Sequence, residues 1–341
     1  MQLIDAAPLM HFPQSLRLRW QRRVLHFKKP ATTSRGALTE RTTYIIEAST
    51  PQGTGYGECC IMPGLLPEPT EAELNHWCSL VEQQNGLCGI QAPSPIQFGL
   101  ECAMLAALHP GKPRWETAFS RGEAGIPIHH LVWMDTADKM QQSMKAGIQQ
   151  GFTCLKMKVG ALPFEEELEM LHQARATYPQ AEIRLDANGA FSPQDAPGKL
   201  AALAETGARF IEQPIARGQW PQLAELCRCT PLPIALDEEL TGATHPEKLL
   251  DTIHPQAIVI KPSLHGGLLA AQRWALAAEQ RGINWWVNSA LESHIGLEAL
   301  AEWCAYAAPG TMQGLGKGNL FTDDESSRLR LKGNSLHMQY N

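Results

Sequence analysis

Short apolar runs, each ending on a charge, recur through the middle of the chain. They are Leu155-Lys156-Met157-Lys158-Val159, Ile183-Arg184-Leu185-Asp186, Phe210-Ile211-Glu212, Ile234-Ala235-Leu236-Asp237 and Ile258-Val259-Ile260-Lys261. The steps from Lys158 to Asp186, Glu212, Asp237 and Lys261 are 28, 26, 25 and 24 residues. One strand, one helix and two loops take that length, so the pattern predicts successive βα units with parallel strands. Each charge stands where its strand ends. Side chains two apart on a strand share a face. Lys156 and Lys158 therefore point one way, and Leu155, Met157 and Val159 point the other, toward the helices.

The flanking pattern extends this series in both directions. A first barrel strand is expected over 126–133, followed by a helix over 136–150. A seventh strand is expected over 285–289 and a short eighth over 311–316. Residues 1–122 read as a separate α+β unit. It has strand character at 17–27 and 41–48, and helical spacing at 70–84 and 95–108, the second helix carrying Phe98, Cys102, Leu105 and Leu108 on one face. Between the two strands, Ala31-Thr32-Thr33-Ser34-Arg35-Gly36 reads as a flexible loop whose arginine suits an anionic ligand. The polar tail, 320–341, alternates at Leu329, Leu331 and Leu336 and is expected to pack back on the N-terminal unit, leaving 123–319 as the barrel.

Composition narrows the function. With 341 residues and 44% hydrophobic content, the chain is long enough for a barrel and a smaller domain. A net charge of -6 gives no basis for a nucleic-acid or anionic-membrane partner. No apolar run reaches the roughly 18 residues that span a bilayer, and the N-terminal segment lacks a secretory pattern. The nine cysteines are irregularly spaced with no CxxC, which predicts reduced thiols in a cytoplasmic protein rather than disulfides or a zinc site.

The strand-end charges then define candidate chemistry. In parallel barrels the carboxyl ends of the strands carry the active site. Asp186, Glu212 and Asp237 would come from three neighbouring strands as hard oxygen ligands, a set that suits Mg2+, with Mn2+ as an alternative. Lys156, Lys158 and Lys261 lie on both sides of the acids. A lysine near other cations and partly desolvated gives up its proton more readily and serves as a base. Together these point to proton abstraction beside the carboxylate of a small-molecule substrate, through an enediolate.

The residues Lys156-x-Lys158, Asp186-Ala187-Asn188, Glu212-Gln213-Pro214, Asp237-Glu238 and Lys261-Pro262 resemble the enolase superfamily in its muconate lactonizing subgroup. The resemblance covers nearly the whole chain and implies an α/β fold, a modified TIM barrel, (β/α)7β, under an α+β capping domain. It implies Mg2+ on Asp186, Glu212 and Asp237. Further stretches, Thr33-Ser34-Arg35-Gly36, Lys261-Pro262-Ser263-Leu264, Ser289-Ala290-Leu291-Glu292-Ser293 and 314–321, resemble dehydratases of this subgroup that act on a cyclohexadiene carboxylate (SHCHC) in menaquinone synthesis. That resemblance implies that Lys158 removes the α-proton and returns it to the departing hydroxide on the same face. Lys261 stabilises the enediolate from the other face, and Lys156 adds positive potential. Asn188, Ser289 and Leu291 line the pocket, and Ser34 or Arg35 closes over the succinyl arm.

The same constellation serves N-acylamino acid racemases and dipeptide epimerases. The epimerases carry an Asp-x-Asp after the eighth strand, and 314–321 contains no acid. Mandelate racemase-like enzymes use a histidine on strand seven with an aspartate on strand six. Lys261 ends strand six here, so His294 is expected to be a helix-start residue. His265, beside Gly266-Gly267, is assigned no role.

Overall fold

The computed structural model describes residues 1–33, 36–323 and 327–339. After a short helix, α1 (Ala7–Met10), come three antiparallel strands, β1 (Arg17–Thr33), β2 (Gly36–Thr50) and β3 (Gly53–Cys60), in the order β1-β2-β3. Both long strands run further than expected and take in most of the anticipated 31–36 loop. A bulge explains how. After His26 pairs with Glu40, the ladder resumes only at Ala31 opposite Leu38. The extra residues include Pro30, which has no N–H to donate. Phe27 and Lys28 instead pair with Phe321 and Leu320. The expected site residues Ser34 and Arg35 lie outside the described residues.

Two helices cover this sheet, α2 (Glu71–Gln84) and α3 (Ser94–Leu108). Thr70 and Glu73 form a capping box at the start of α2, satisfying otherwise orphaned N–H groups. α3 is apolar nearly all round and almost wholly buried. Gly55 and Gly57 of β3 permit its close approach. A Cβ on Gly57 would lie 2.0 Å from the Gly99 carbonyl, and one on Gly55 2.3 Å from that of Ala103.

The barrel sheet has seven parallel strands. They are β5 (His130–Val132), β6 (Cys154–Lys158), β7 (Glu182–Asp186), β8 (Phe210–Glu212), β9 (Ile234–Leu236), β10 (Ala257–Ile260) and β11 (Asn284–Val287), each beside the next. The intervening helices are α4 (Ala137–Gln149), α5 (Phe164–Thr177), α6 (Ala196–Glu205), α7 (Trp220–Cys229), α8 (Pro246–Ile253) and α9 (Gly267–Glu279); α10 (His294–Ala307) follows β11. The expected first strand is divided. Gly125–Pro127 forms β4, which pairs with a C-terminal hairpin of β12 (Leu329–Lys332) and β13 (Ser335–Met338), and only His130–Val132 joins the barrel. Pro127 has no donor for a central ladder. The expected eighth strand is reduced to two parallel bridges, Gln313 to Ile128 and Gly314 to Asn288, which join the ends of the sheet. Among the described residues, no helix is long and apolar enough to cross a membrane, and all nine cysteines are free thiols.

Alternation fills the barrel in layers. Phe210, Ala235, Ala257, Val259 and Trp286 form an inner cluster, and the Arg184 guanidinium lies 4.5 Å over the Trp286 ring. Leu155, Met157 and Val159 belong to the main core on the outer face. Two residues above this plug, at the carboxyl ends, come the charges.

The capping helix α3 also meets the barrel. Buried Glu101 accepts from the backbone N–H groups of Leu268 (2.5 Å) and Leu269 (3.1 Å) at the start of α9, and from Gln97 (2.9 Å). Burial outweighs these bonds and pushes its pKa up to about 7. A carboxyl raised in the folded state contributes stability that is fully present below the unfolded pKa, near 4.5, and is lost as pH rises through about 7. Glu101→Gln is therefore expected to flatten thermal stability between pH 5 and 8, removing a loss of up to about 3 kcal/mol. Melting curves across that range check this; a pH profile identical to that of the unmodified chain would count against it.

Candidate active site

Register brings the strand-end charges to one level. Lys158 pairs with Asp186 across β6 and β7, and Asp186 with Glu212 across β7 and β8. Asp237 and Lys261 follow directly on β9 and β10. In strand order the mouth therefore presents lysine, aspartate, glutamate, aspartate, lysine, with the two outer lysines flanking the acids. Asp186, Glu212 and Asp237 each offer an oxygen, and the three atoms lie within 4.8 Å of one another. All three residues are buried.

The lysines balance this charge. Lys156 Nζ sits 2.8 Å from Asp186 Oδ2 and donates also to Glu212. Lys158 Nζ donates to Asp186 (2.7 Å) and to Asn188 Oδ1 (2.6 Å), and Lys261 Nζ to Asp237 (2.5 Å). Burial raises the Asp186 carboxyl, but Lys156 and Lys158 overcome it and hold the group well below the usual range. Glu212 is pushed up to about 7 by burial and by its two acidic neighbours, against the pull of Lys156. Burial disfavours the Lys156 and Lys261 ammonium groups, yet the carboxylates outweigh it and raise both. Each of these two lysines is thus held by carboxylate partners.

Neighbouring residues fix these groups. Asn188, just after Asp186, has a left-handed φ of 44°; its N–H donates to Asp186 Oδ1 and its amide to Glu238. Gln213, with φ of 39°, accepts from the Asp237 N–H. Such strain in non-glycine residues persists where surrounding contacts over-determine the backbone. Asn288, after β11, accepts from Lys156 Nζ at 3.0 Å when its amide is turned to the orientation that satisfies both of its ends. His265 is buried behind Lys261, its Nδ1 accepting that residue's N–H at 3.0 Å, and burial pushes its pKa down to about 3. His294 opens α10. Asn288, Gln213, Glu238 and His265 were not assigned roles from the sequence. Asn288 follows its apolar run as the acids follow theirs, which is the one signal that would have found it.

Around the mouth, Ser289 donates to Glu292 Oε2 (2.6 Å), and Leu291 has a left-handed φ of 65°. Leu291 packs with Trp133, Leu38 and Leu320 against a buried apolar cluster of Leu25, Phe27, Ala31 and Phe321. These residues form one apolar wall, built from the antiparallel sheet and the loops that follow β5, β11 and the closing bridges.

A divalent cation fits the acid triad. Glu212 Oε1 and Glu238 Oε2 are buried without a hydrogen-bond partner, a costly arrangement unless a cation satisfies such oxygens. The donors are all carboxylate, the set preferred by hard cations.

Residues 139–331 match the family model described as Enolase C-terminal domain-like. The chain belongs to the enolase superfamily. It is 38% identical to an o-succinylbenzoate synthase of Desulfotalea psychrophila, over 94% of this chain and 98% of that one. The crystal structure of MenC from the same organism superposes with a TM-score of 0.82 at 34% identity, covering 95% of this chain and all of that one. An N-succinylamino acid racemase of Amycolatopsis is 27% identical over 82% of this chain and 81% of its own.

Proposed function

We propose that this chain is a metal-dependent lyase that dehydrates SHCHC to o-succinylbenzoate, a step of menaquinone synthesis. The observation that carries the reading is the lysine–acid–acid–acid–lysine mouth, together with an apolar wall, in a chain similar over nearly its whole length to an enzyme named for that product. Asp186, Glu212 and Asp237 hold a divalent cation, Mg2+ by preference. When bound, it supplies positive charge for the substrate carboxylate and for the enediolate derived from it.

The rest is done by this chain's side chains. Lys158, aimed by Asn188, takes the α-proton from one face. The electron pair of the broken C–H bond is held in the enediolate. It returns to form the ring C=C bond as the C–O bond to the hydroxyl breaks. The proton on Lys158 passes to that oxygen, so water leaves from the face that lost the proton. Lys261 faces the intermediate from the opposite side as an ammonium, kept charged by Asp237 and Glu238. Lys156, held by Asp186 and Glu212, stays charged and adds potential. Ser289 and Leu291 line the ring pocket.

The test is turnover of SHCHC by purified protein with Mg2+ and after chelation. Rapid dehydration that chelation abolishes and added Mg2+ restores is expected. A folded, metal-loaded protein without turnover would sink the reading. The placement of a lysine at each end of the triad favours one second reading, two-base racemisation of N-acylamino acids or, less readily given the absence of an acid in 314–321, dipeptide epimerisation. Exchange of the α-proton of N-succinylamino acids in deuterated water without SHCHC turnover would select it.

A further inference from the structure

A second buried charged cluster lies outside the metal triad, between the antiparallel sheet and the loop after β11. Arg41 of β2 and Glu58 of β3 form an ion pair at 2.6 Å, with both side chains fully buried. Glu58 Oε1 also accepts from Thr43 Oγ1 (2.8 Å). Its other oxygen leaves the sheet altogether. Glu58 Oε2 accepts from Ser293 N–H (2.8 Å), Ser293 Oγ (2.6 Å) and Gly296 N–H (3.1 Å). The carboxylate thus caps α10 from a different part of the fold, in place of a side chain of α10's own N-cap residue. Arg41 Nη1 reaches the Ala290 carbonyl (3.4 Å) and Cys60 Sγ (2.6 Å).

The segment so gripped is 289–293. On its other side, Glu292 accepts from Ser289 Oγ and Ser263 Oγ, each at 2.6 Å, and from Ala290 N–H at 2.8 Å. Between these anchors sits Leu291 in its left-handed conformation, which a branched side chain holds only under constraint. Gly296 is close-packed as well: a Cβ there would lie 2.7 Å from Glu58 Oε2. Among the described residues, no hydrogen bond or ion pair joins this cluster to the acid triad.

We propose that Arg41 and Glu58 are positioning residues for substrate specificity: their ion pair clamps loop 289–293 from the capping sheet and so sets where Ser289 and Leu291 meet the substrate ring. This rests on the pocket assignment made above for those two residues. A buried pair of this kind is weak as a source of stability, because desolvation offsets the Coulombic gain. Its geometric role is the better account of two full charges placed between sheet and loop.

Arg41→Met, Arg41→Lys and Ser293→Ala separate positioning from simple stability. Arg41→Met is expected to raise KM for SHCHC about 10-fold or more while kcat falls less than about threefold, since small misplacement of a substrate contact is costly. Its Mn2+ affinity should be unchanged, and Arg41→Lys should recover part of the KM. In Ser293→Ala the ion pair is intact and one anchor is gone, so KM should rise with little loss of melting temperature. Amide hydrogen exchange at 289–296 should be faster in Arg41→Met and Ser293→Ala than in the unmodified chain. Unchanged KM in folded Arg41→Met would overturn the proposal, as would kcat, metal affinity and melting temperature falling together. If Arg41→Met does not fold, Ser293→Ala decides: KM and amide exchange both as in the unmodified chain reject the clamp. Should the unmodified protein fail to turn over SHCHC, the function reading fails, while amide exchange still tests the clamp.

Discussion

Lys158→Ala is expected to lower kcat for SHCHC dehydration by roughly 10³- to 10⁴-fold, the full contribution of a positioned general base and acid. In the proposed mechanism one amine serves both transfers, so no other group inherits the task. Lys156 is the nearest alternative, but it is buried, paired with Asp186 and Glu212, and held in its charged form by them. Lys261 lies at the far end of the triad, on Asp237. The variant should still bind a divalent cation. Removing an ammonium from Asp186 takes away a competitor for that oxygen, so Mn2+ affinity measured by electron paramagnetic resonance should be equal or tighter. Loss of turnover with retained Mn2+ binding separates the proton-transfer role from a role in holding the metal. Residual turnover within tenfold of the unmodified enzyme would mean that another base acts.

Glu212→Gln should produce the second large effect. Glu212 is the middle acid of the triad, fully buried, with Lys156 on one oxygen and no partner on the other. Exchanging one oxygen for an amide removes a negative charge and turns an acceptor into a donor, at a site where three carboxylate oxygens converge. Divalent-cation affinity should fall at least about 100-fold, and activity at low Mg2+ should fall with it, recovering only partly at high Mg2+. A titration with Mn2+ reads the affinity without any need for turnover. Affinity within a factor of three of the unmodified chain would remove Glu212 from the ligand set.

Much of the site was legible because a parallel barrel converts period into place. Strand-end residues 24 to 28 apart need no further information to converge, since each βα unit returns the chain to the same rim. That is why Lys158, Asp186, Glu212, Asp237 and Lys261 could be read from apolar runs alone, and why Lys156 joined them by alternation. The barrel's closure was less legible. Gln313 and Gly314 supply only two bridges, too few to leave an apolar pattern, and Pro127 divides what reads as one continuous strand.

Local sequence thus determined the strand series, the helices that cover it and the identity of the charges at the mouth, because those depend on periodicities of two and of about 3.6 residues within short windows. Tertiary structure alone decided the rest. Arg41 and Glu58 sit in strands of the antiparallel sheet, whereas Ser293 precedes α10, 235 residues beyond Glu58. The apolar wall likewise combines Phe27 with Phe321 and Leu291. The protonation tendencies of Lys156 and Lys261 also depend on which carboxylates lie within a few ångströms of each. Contacts between segments so far apart leave no periodic trace in the chain, since they are set by how whole elements dock and not by the conformation of any one of them.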